Sequence, residues 1–403
     1  MKKRKEDPAD VAAGKWLDEQ RTLSGERRFS DRLLLITLSA IIVIFGVLIF
    51  LLPRAEFSEE ENRPLADFPE FSIDALISGE FTEGIADFYS DRFPLRNLFV
   101  GIKAAAEKLM LKGENNGVIA GEDGYIIERL EYSDADYETL TANLKAIEIF
   151  RKYAEEQGYD VTAALAPRAV DVMTSKLPPL YGQERNEAVW ATAAELAPSA
   201  LTFTEMLRER ADFGEQVWYR TDHHYTTLGA YYVYCALGES LGYTPYPLEF
   251  FDIETASEDF LGTTYSASGM KWVKSEKIEL FRYENDEKYS VRWDGGELSG
   301  FYDRSYLDKK DKYSVFLGGN HALTSVKGEG EKPTLLLFKD SFSHALTPFL
   351  ALHFDIELVD LRLYSKSAAK LLEEIKPDEI LIYYGIDTLA TSPEIERIRM
   401  GAR

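Results

Sequence analysis

A run of twenty residues without a charged side chain, LLLITLSAIIVIFGVLIFLL at residues 33–52, constrains this chain more than any other feature. At about 1.5 Å per residue, a helix of that length spans the roughly 30 Å hydrocarbon core of a bilayer. A cleaved signal peptide is the alternative, but the run is longer than a signal peptide's apolar region, and Leu52-Pro53-Arg54 lacks the small residues of a cleavage site. We therefore predict an uncleaved, single transmembrane anchor.

The charges on either side of this anchor predict its orientation. Residues 1–32 carry nine Lys or Arg, whereas residues 53–72 carry only two among six acids. The positive-inside rule makes residues 1–32 a flexible cytoplasmic tail of a single-pass protein of the cell membrane and places everything after the anchor outside the cytoplasm. The outer part has 37 basic and 62 acidic residues, a net charge of −25, which disfavours nucleic acid and anionic lipid as ligands.

The outer part alternates between segments typical of strands and of helices. Residues 53–112 read as a juxtamembrane helical lead-in, and residues 113–403 as an α/β domain with a mostly parallel sheet. Its strands are predicted at 160–165, 334–338, 356–361 and 379–384, and its helices at 137–157, 342–353 and 367–375. A region at about 243–332, rich in Gly, Asp, Ser and Tyr, is predicted to be an insertion of short antiparallel strands and loops.

Two segments carry side chains suited to chemistry. The first, TDHHYTTLGA at 221–230, holds two of the five histidines in the chain. The segment before it, 215–219, reads as a strand, and 226–241 reads as a helix whose N-cap is Thr226 or Thr227. The second, LLLFKDSFSH at 335–344, puts Ser341 in the turn between a buried strand and a helix. Ligands are expected at that end of a parallel strand.

A serine in such a turn can act as a nucleophile if a histidine and an acid assist it. Asp222 and His224 can supply both, because residues i and i+2 of an extended segment face the same side, and His223 would then face the opposite side. The simpler alternative is that Asp340 and Ser341 only cap the helix that follows, as Asp and Ser commonly do.

Metal and cysteine chemistry find less support in the sequence. Phosphoesterases with an Asp-His-His motif need several further aspartates to hold manganese, and no such set is visible. His321, His344 and His353 lack regular metal-ligand spacing, and the lone Cys235 reads as a small buried hydrophobe. We therefore expect neither a metal nor another cofactor.

The motifs together resemble the bacterial DHHW family, with Tyr225 where that family usually has Trp. They are FSEEENR at 57–63, FPLR at 93–96, TDHHYTTLGA at 221–230, GNH at 319–321, KDSFS at 339–343 and DLR at 360–362. This family is similar to the SGNH-hydrolase-like proteins of alginate O-acetylation. The resemblance implies a three-layer α/β/α fold and a triad of Ser341, His224 and Asp222. It implies Ser341 N–H as an oxyanion donor, with Asn320 or Arg362 as further oxyanion or substrate-binding residues.

The implied function is that of a serine O-acyltransferase (O-acetyltransferase) or acylesterase acting on a cell-surface polysaccharide. Because acyl donors are made in the cytoplasm and one transmembrane helix cannot form a path for them, the implied partner is a multi-span membrane-bound O-acyltransferase. Lys339, in place of the glycine of the Gly-Asp-Ser motif, favours the alternative of an inactive glycan-binding or scaffold protein. The motifs also stand in a different order from those of ordinary SGNH esterases, whose Asp-x-x-His follows the serine.

Overall fold

The computed structural model describes residues 8–51, 56–58, 63–179, 181 and 184–402. These residues form two compact units that divide between Phe99 and Val100.

The first unit begins with one long helix, α1, over Pro8–Leu51. Its segment Ser30–Ile49 has a mean hydropathy of 2.7, is not buried, and is long and apolar enough to cross a membrane. Residues 8–32 of the predicted tail are helical and form the first part of α1. This segment is rich in good helix formers, and an existing helix extends more easily than a new one begins. Residues 1–7 and 52 of the predicted tail and anchor lie outside the described chain.

The rest of the first unit is short strands and helices. β1 (Phe57–Ser58) pairs antiparallel with β2 (Arg63–Pro64), while residues 59–62 of the FSEEENR motif lie outside the described chain. Three helices follow: α2 (Ile73–Ser78), α3 (Glu80–Asp91) and α4 (Arg96–Leu109). The lead-in is thus helical, and the division between the two units falls inside α4 rather than at residue 112.

The second unit carries the remaining β-strands and α-helices. They are β3 (Glu114–Asn115), β4 (Val118–Ala120), β5 (Ile126–Glu128), α5 (Asp134–Glu156), β6 (Asp160–Ala166), α6 (Ala169–Val172), α7 (Glu184–Leu196), β7 (Leu201–Thr202), α8 (Thr204–Asp212), α9 (Thr227–Leu237), β8 (Asp252–Phe260), α10 (Thr263–Ser268), β9 (Glu276–Arg282), β10 (Ser290–Trp293), β11 (Gly296–Ser299), β12 (Leu323–Lys327), β13 (Thr334–Lys339), α11 (Ser343–Leu350), β14 (Asp355–Val359), α12 (Ala368–Ile375), β15 (Glu379–Gly385) and α13 (Ile386–Thr391).

The main sheet has eight strands in the order β11-β10-β12-β14-β13-β15-β6-β7. The strands from β14 to β7 in this order pair in parallel, and β11, β10 and β12 add an antiparallel edge. The strands and helices predicted from residue 334 onwards are present and form two crossovers, β13-α11-β14 and β14-α12-β15. β13 lies in the middle of the sheet between β14 and β15, so the loop that follows it opens at the carboxyl ends of three parallel strands.

Two apolar cores cover the two faces of this sheet. In β13, Leu335 and Leu337 belong to one core, whereas Leu336 and Phe338 belong to the other. This alternation is what a strand buried on both faces requires. Helices α9 and α11 pack in the first core, and α5, α7, α12 and α13 in the second. The predicted three-layer α/β/α architecture is therefore confirmed.

The region 243–332 holds short antiparallel strands, as predicted. β10, β11 and β12 extend the main sheet, whereas β8 and β9 form a hairpin apart from it. The segment 215–219 is not a strand of a sheet. It forms one arm of a tight loop, in which Trp218 and Tyr225 make an isolated bridge. The backbone N–H groups of Arg220 and Thr221 donate to the buried carboxylate of Glu276 instead of to a neighbouring strand.

Candidate active site

Ser341 lies in the turn between β13 and α11, and Asp340 fixes the shape of that turn. The Asp340 carboxylate is fully buried; Oδ1 accepts from Phe342 N at 3.0 Å, and Oδ2 accepts from Gly385 N at 2.7 Å. Gly385 ends β15, and a Cβ there would approach the Phe342 ring to 2.9 Å. The carboxyl ends of two neighbouring strands thus hold the serine in place, and its side chain remains partly exposed.

The loop 217–226 brings Asp222 and His224 to this serine. His224 Nε2 lies 2.7 Å from Ser341 Oγ, and His224 Nδ1 lies 2.6 Å from Asp222 Oδ1. The loop is closed by Thr226 N, which donates to Val217 O at 3.0 Å, and Thr226 caps α9, as predicted. The three residues that the sequence predicts as a triad therefore form one continuous chain of hydrogen bonds.

The other oxygen of Asp222 is held by Thr263, which lies in the region 243–332. Thr263 donates to Asp222 Oδ2 from its backbone N–H at 2.8 Å and from its hydroxyl at 3.0 Å. Gly262 permits this approach, because a Cβ there would lie 2.3 Å from Asp222 Oδ2. Burial raises the pKa of Asp222, but the adjacent His223 and His224 and these hydrogen bonds outweigh it, so the pKa is well below its ordinary range. Asp222 is thus a fixed carboxylate at neutral pH.

His224 is buried between two rings. Tyr313 stacks on one face of the imidazole, with 3.9 Å between ring centroids and 9° between planes. The His223 ring lies on another side, also 3.9 Å away and tilted by 36°. Burial, followed by the positive charge of His223, lowers the pKa of His224 below its ordinary value of 6.5. A neutral imidazole at Nε2 is what a general base requires.

The expectation that His223 faces away from the serine is wrong. His223 lines the same cavity as Ser341, and its Nδ1 donates to Thr263 Oγ1 at 2.6 Å. The alternation rule fails here because residues 220–224 form bends rather than an extended strand. Burial lowers the pKa of His223, but the Asp222 carboxylate and more distant acids raise it more, so the net shift is upward.

Asn320, Arg362 and Lys339 form a polar group beside the turn. Arg362 makes a two-pronged ion pair with Asp360, from Nε at 2.9 Å and from a terminal nitrogen at 2.6 Å, and it also lines the cavity at Ser341. Asn320 Oδ1 accepts from Arg362 at 3.4 Å and from Lys339 Nζ at 3.3 Å. The side chain that replaces the motif glycine is therefore directed into this group.

The Lys339 side chain is only 2% exposed and has three polar neighbours. Its Nζ donates to His344 Nε2 at 2.7 Å and lies 3.6 Å from Asp360 Oδ2. Burial lowers the pKa of Lys339 to about 8, although Asp360 opposes that shift. Burial, and then the charge of Lys339, lowers the pKa of His344, which therefore accepts from the ammonium as a neutral imidazole.

Asp222, His223 and His224 are close enough to form a metal site, because their ligand atoms lie within 4.8 Å of one another. The hydrogen bonds argue for another use of these atoms. Both oxygens of Asp222 already accept hydrogen bonds, and the two nitrogens of His224 bind Asp222 and Ser341. A bound ion would have to displace them.

The cavity at Ser341 has a volume of about 260 Å³. It is lined by His223, Ser341 and Phe342, and by residues of β5, of the turn before α6 and of the start of α13. Charged, hydroxyl and apolar groups line the cavity, and the charged ones include Glu128, Arg168 and Asp387.

Sequence reasoning missed three residues that contact the triad or its loop but lie far from them in the sequence. Thr263 holds Asp222, Tyr313 stacks on His224, and Glu276 holds the loop by accepting from Thr221 N at 2.8 Å and Thr221 Oγ1 at 2.6 Å. All three lie in the region 243–332. The Gly262-Thr263 pair is the nearest to a local signal, since glycine often marks a close approach of backbone to another group.

Two family models match the second unit. Residues 200–359 match the model described as DHHW protein, and residues 118–268 match the model described as SGNH hydrolase-like domain, acetyltransferase AlgX. Among curated relatives, "Probable alginate O-acetylase AlgJ" of Pseudomonas fluorescens is 25% identical over 179 residues, and that of Pseudomonas putida is 25% identical over 177 residues. Each match spans 41% of this chain and 44% of the relative, less than half of either length.

Two solved structures have the same fold. A DHHW family protein from Eubacterium siraeum is 20% identical, with a TM-score of 0.55, over 70% of this chain and 95% of its own. PatB1 of Bacillus cereus, solved with a sulfonyl adduct, is 18% identical, with a TM-score of 0.56, over 69% and 97%. The resemblance to the DHHW family and to SGNH-hydrolase-like proteins of alginate O-acetylation is confirmed.

Proposed function

We propose that this chain, which is similar to proteins of polysaccharide O-acetylation, is a membrane-anchored serine O-acyltransferase that acts outside the cytoplasm on a cell-surface polysaccharide. The observation that carries the proposal is the chain of hydrogen bonds from Ser341 Oγ through His224 to Asp222, with contacts of 2.7 and 2.6 Å. A helix cap would not need a histidine and a buried carboxylate from a loop more than a hundred residues away.

In the first half of the reaction, Ser341 Oγ attacks the carbonyl carbon of an acyl donor while His224 Nε2 takes the hydroxyl proton. Asp222 stabilises the imidazolium that forms and keeps Nδ1 protonated. The tetrahedral intermediate collapses, the bond from the acyl carbon to the leaving group breaks, and His224 returns the proton to the leaving group. The acyl group is then an ester of Ser341.

In the second half, a sugar hydroxyl takes the place of Ser341 as nucleophile. His224 removes its proton, the hydroxyl oxygen attacks the acyl carbon, and the Ser341 ester bond breaks as His224 returns the proton to Oγ. The products are an O-acylated sugar and the free serine. Water in the same position would give hydrolysis, so exclusion of water by a bound acceptor separates a transferase from an esterase.

The oxyanion of each tetrahedral intermediate needs donors. Ser341 N–H, in the turn before α11, is the main candidate. Arg362 is a second candidate, since it lines the cavity and its pairing with Asp360 fixes its position. Asn320 is the weaker addition: its Oδ1 is already an acceptor for Arg362 and Lys339, which leaves only its NH₂ group to donate.

An inactive glycan-binding or scaffold protein is the second candidate, and Lys339 was the feature in its favour. The contacts of Lys339 with Asn320, His344 and Asp360 weaken that argument, because they direct its ammonium into the buried polar group. The arrangement of the triad favours turnover.

Formation of the acyl-enzyme tests the proposal directly. The full chain, solubilised in detergent, would be incubated with 4-nitrophenyl acetate, and nitrophenol release and the mass of the peptide that contains Ser341 would be followed. We expect an initial burst of nitrophenol and an acetyl group on Ser341. Ser341→Ala should lose both, whereas Ser305→Ala, at an exposed serine, should keep both. If wild type and Ser341→Ala are equally inert toward activated esters, the enzyme function is wrong and the glycan-binding or scaffold function is favoured.

The source of the acyl group leads to a proposed partner. With the second unit outside the cytoplasm, an acyl group from acetyl-CoA must cross the bilayer, and a multi-span membrane-bound O-acyltransferase is the class of protein that could carry it. Co-purification of such a protein with the full chain from native membranes would support this partner. The same co-purification should be seen with Ser341→Ala, because binding of the partner does not require turnover.

A further inference from the structure

The cavity beside Ser341 is small and directly adjoins the nucleophile. Its volume of about 260 Å³ lies just below the roughly 300–1,000 Å³ of pockets that hold drug-sized ligands. It therefore suits one small unit, such as a single sugar ring, next to the acyl group on Ser341.

Two carboxylates face this cavity, each held in place by a neighbour. Glu128 Oε1 accepts from the hydroxyl of the buried Thr264 at 2.8 Å, and Asp387 Oδ1 accepts from the hydroxyl of Tyr132 at 2.9 Å. Each of these bonds uses one site of a group that offers about four acceptor positions. Fixed acceptors of this kind suit the hydroxyl groups of a sugar.

The cations of the cavity wall are already engaged by other acids. Arg168 binds Asp171 through two nitrogens, both at 2.7 Å, and Arg362 binds Asp360 in the same two-pronged way. His223, the remaining lining group that can carry a positive charge, lies 4.0 Å from the Asp222 carboxylate. Recognition of a sugar carboxylate typically uses a guanidinium whose fork is open to it, and both guanidiniums here have their forks on protein carboxylates.

We propose that this cavity is the acceptor subsite for one sugar residue that carries no carboxylate, either neutral or amine-bearing, with Asp387 and Glu128 accepting its hydroxyl or ammonium groups. The inference rests on the proposed function and narrows its substrate class. Alginate, named in the curated relatives, is a polyuronate, and its carboxylates would meet Asp387 and Glu128 with like charge.

Binding to full-length Ser341→Ala in detergent tests the proposal without turnover. Three tetrasaccharides serve as probes: cellotetraose, the glucosamine tetramer and tetragalacturonate. We expect the neutral or the amine-bearing probe to bind at least about tenfold more tightly than the uronate, a difference that should narrow at high salt. Equal or tighter binding of the uronate, or no binding of any probe at millimolar concentration, would show that the assignment is wrong.

Two variants in the same background locate the binding. Asp387→Asn keeps an oxygen that can accept from the Tyr132 hydroxyl but removes the negative charge. Glu128→Gln likewise keeps an acceptor for the Thr264 hydroxyl and removes the charge. Each should weaken the better probe by about tenfold, as expected for a hydrogen bond to a charged group. Asp294→Asn and Glu284→Gln, at exposed positions, are the matched controls and should not change affinity. Affinities that are the same in all four variants would place the acceptor elsewhere.

The acetylation test at Ser341 separates the two proposals. If wild type forms no acyl-enzyme but Ser341→Ala binds the probes in the expected order, the enzyme function fails and the sugar subsite stands. If the acyl-enzyme forms but the probes bind in the opposite order, the substrate class fails and the nucleophile stands.

Discussion

At the scale of single residues, the contact between His224 Nε2 and Ser341 Oγ carries the sharpest expectation. A general base typically contributes about 10²–10⁴-fold to a rate. His224→Ala should therefore approach the background of Ser341→Ala, and the double variant should add little, because residues that act as one unit are not additive. Ester cleavage and melting temperature would be measured together. Losses of stability and activity in parallel would instead indicate a packing role for His224.

His223 should affect the same reaction through the protonation of its neighbour. The His224 pKa is lowered by burial and then by the charge of His223. Since the base must be neutral, the acidic limb of the pH profile should lie below 6.5. His223→Gln removes the positive neighbour, so the pKa of His224 should rise and the limb should move to higher pH.

The pH dependence of kcat/KM between pH 4 and 8 measures this shift. His353→Gln is the control, because His353 contacts Tyr234 and Tyr243 and does not line the cavity at Ser341. The acidic limb of the His353→Gln profile should match that of wild type. An acidic limb that stays in place in His223→Gln, or moves to lower pH, would contradict the electrostatic role of His223.

At the scale of elements, the site depends on the loop 217–226 and on the backbone that supports it from residue 262. Gly262→Ala should place a methyl group 2.3 Å from Asp222 Oδ2 and so displace the carboxylate that orients His224. A misplacement of about 1 Å can cost about 10²-fold in rate, so we expect a loss of at least that size in ester cleavage. Gly113→Ala, where a Cβ meets nothing within 4 Å, is the matched control. Full activity in Gly262→Ala would show that the position of Asp222 is not critical.

The elements that could be predicted from sequence are those whose pattern is local. β13, α11, β14, α12 and β15 follow one another as apolar strands and helices, and the sheet buries both faces of these strands, so each run of residues already shows its structure. The turn at Ser341 follows from the same pattern. The wrong assignments have a shared cause: the partners that decide them are far away in sequence.

The residues 215–219 illustrate this cause. Their aromatic and β-branched side chains are typical of a strand, but the backbone N–H groups just beyond them are taken by the carboxylate of Glu276, which lies 55 or more residues away. The orientation of His223 failed for the same reason, because the bends at 220–224 replace the extended backbone that the alternation rule assumes. Similarly, β10 and β12 look like strands of a separate region until the antiparallel register with β14 joins them to the main sheet.

At the scale of the whole molecule, the charge distribution along the chain changes at the long helix α1. The segment Ser30–Ile49 is apolar enough to enter a bilayer, and the basic residues cluster before it while the acids predominate after it. With the proposed topology, the net charge of −25 over residues 53–403 would disfavour contact of these residues with anionic lipid headgroups.

The orientation of α1 in the membrane is therefore the last expectation. Alkaline phosphatase, which matures only outside the cytoplasm, should be active when fused after Arg403 and inactive when fused after Arg28. Replacing the basic residues before the anchor, Lys2 to Lys5 with Arg27 and Arg28, by Gln should weaken this preference, because the Lys and Arg bias sets the orientation. An antibody against residues 1–32 should also detect the mature protein if the predicted anchor stays uncleaved. Phosphatase activity in the Arg28 fusion alone would reverse the topology. It would also place Ser341 in the cytoplasm, where neither a cell-surface glycan nor a partner that carries acyl groups outward could serve it.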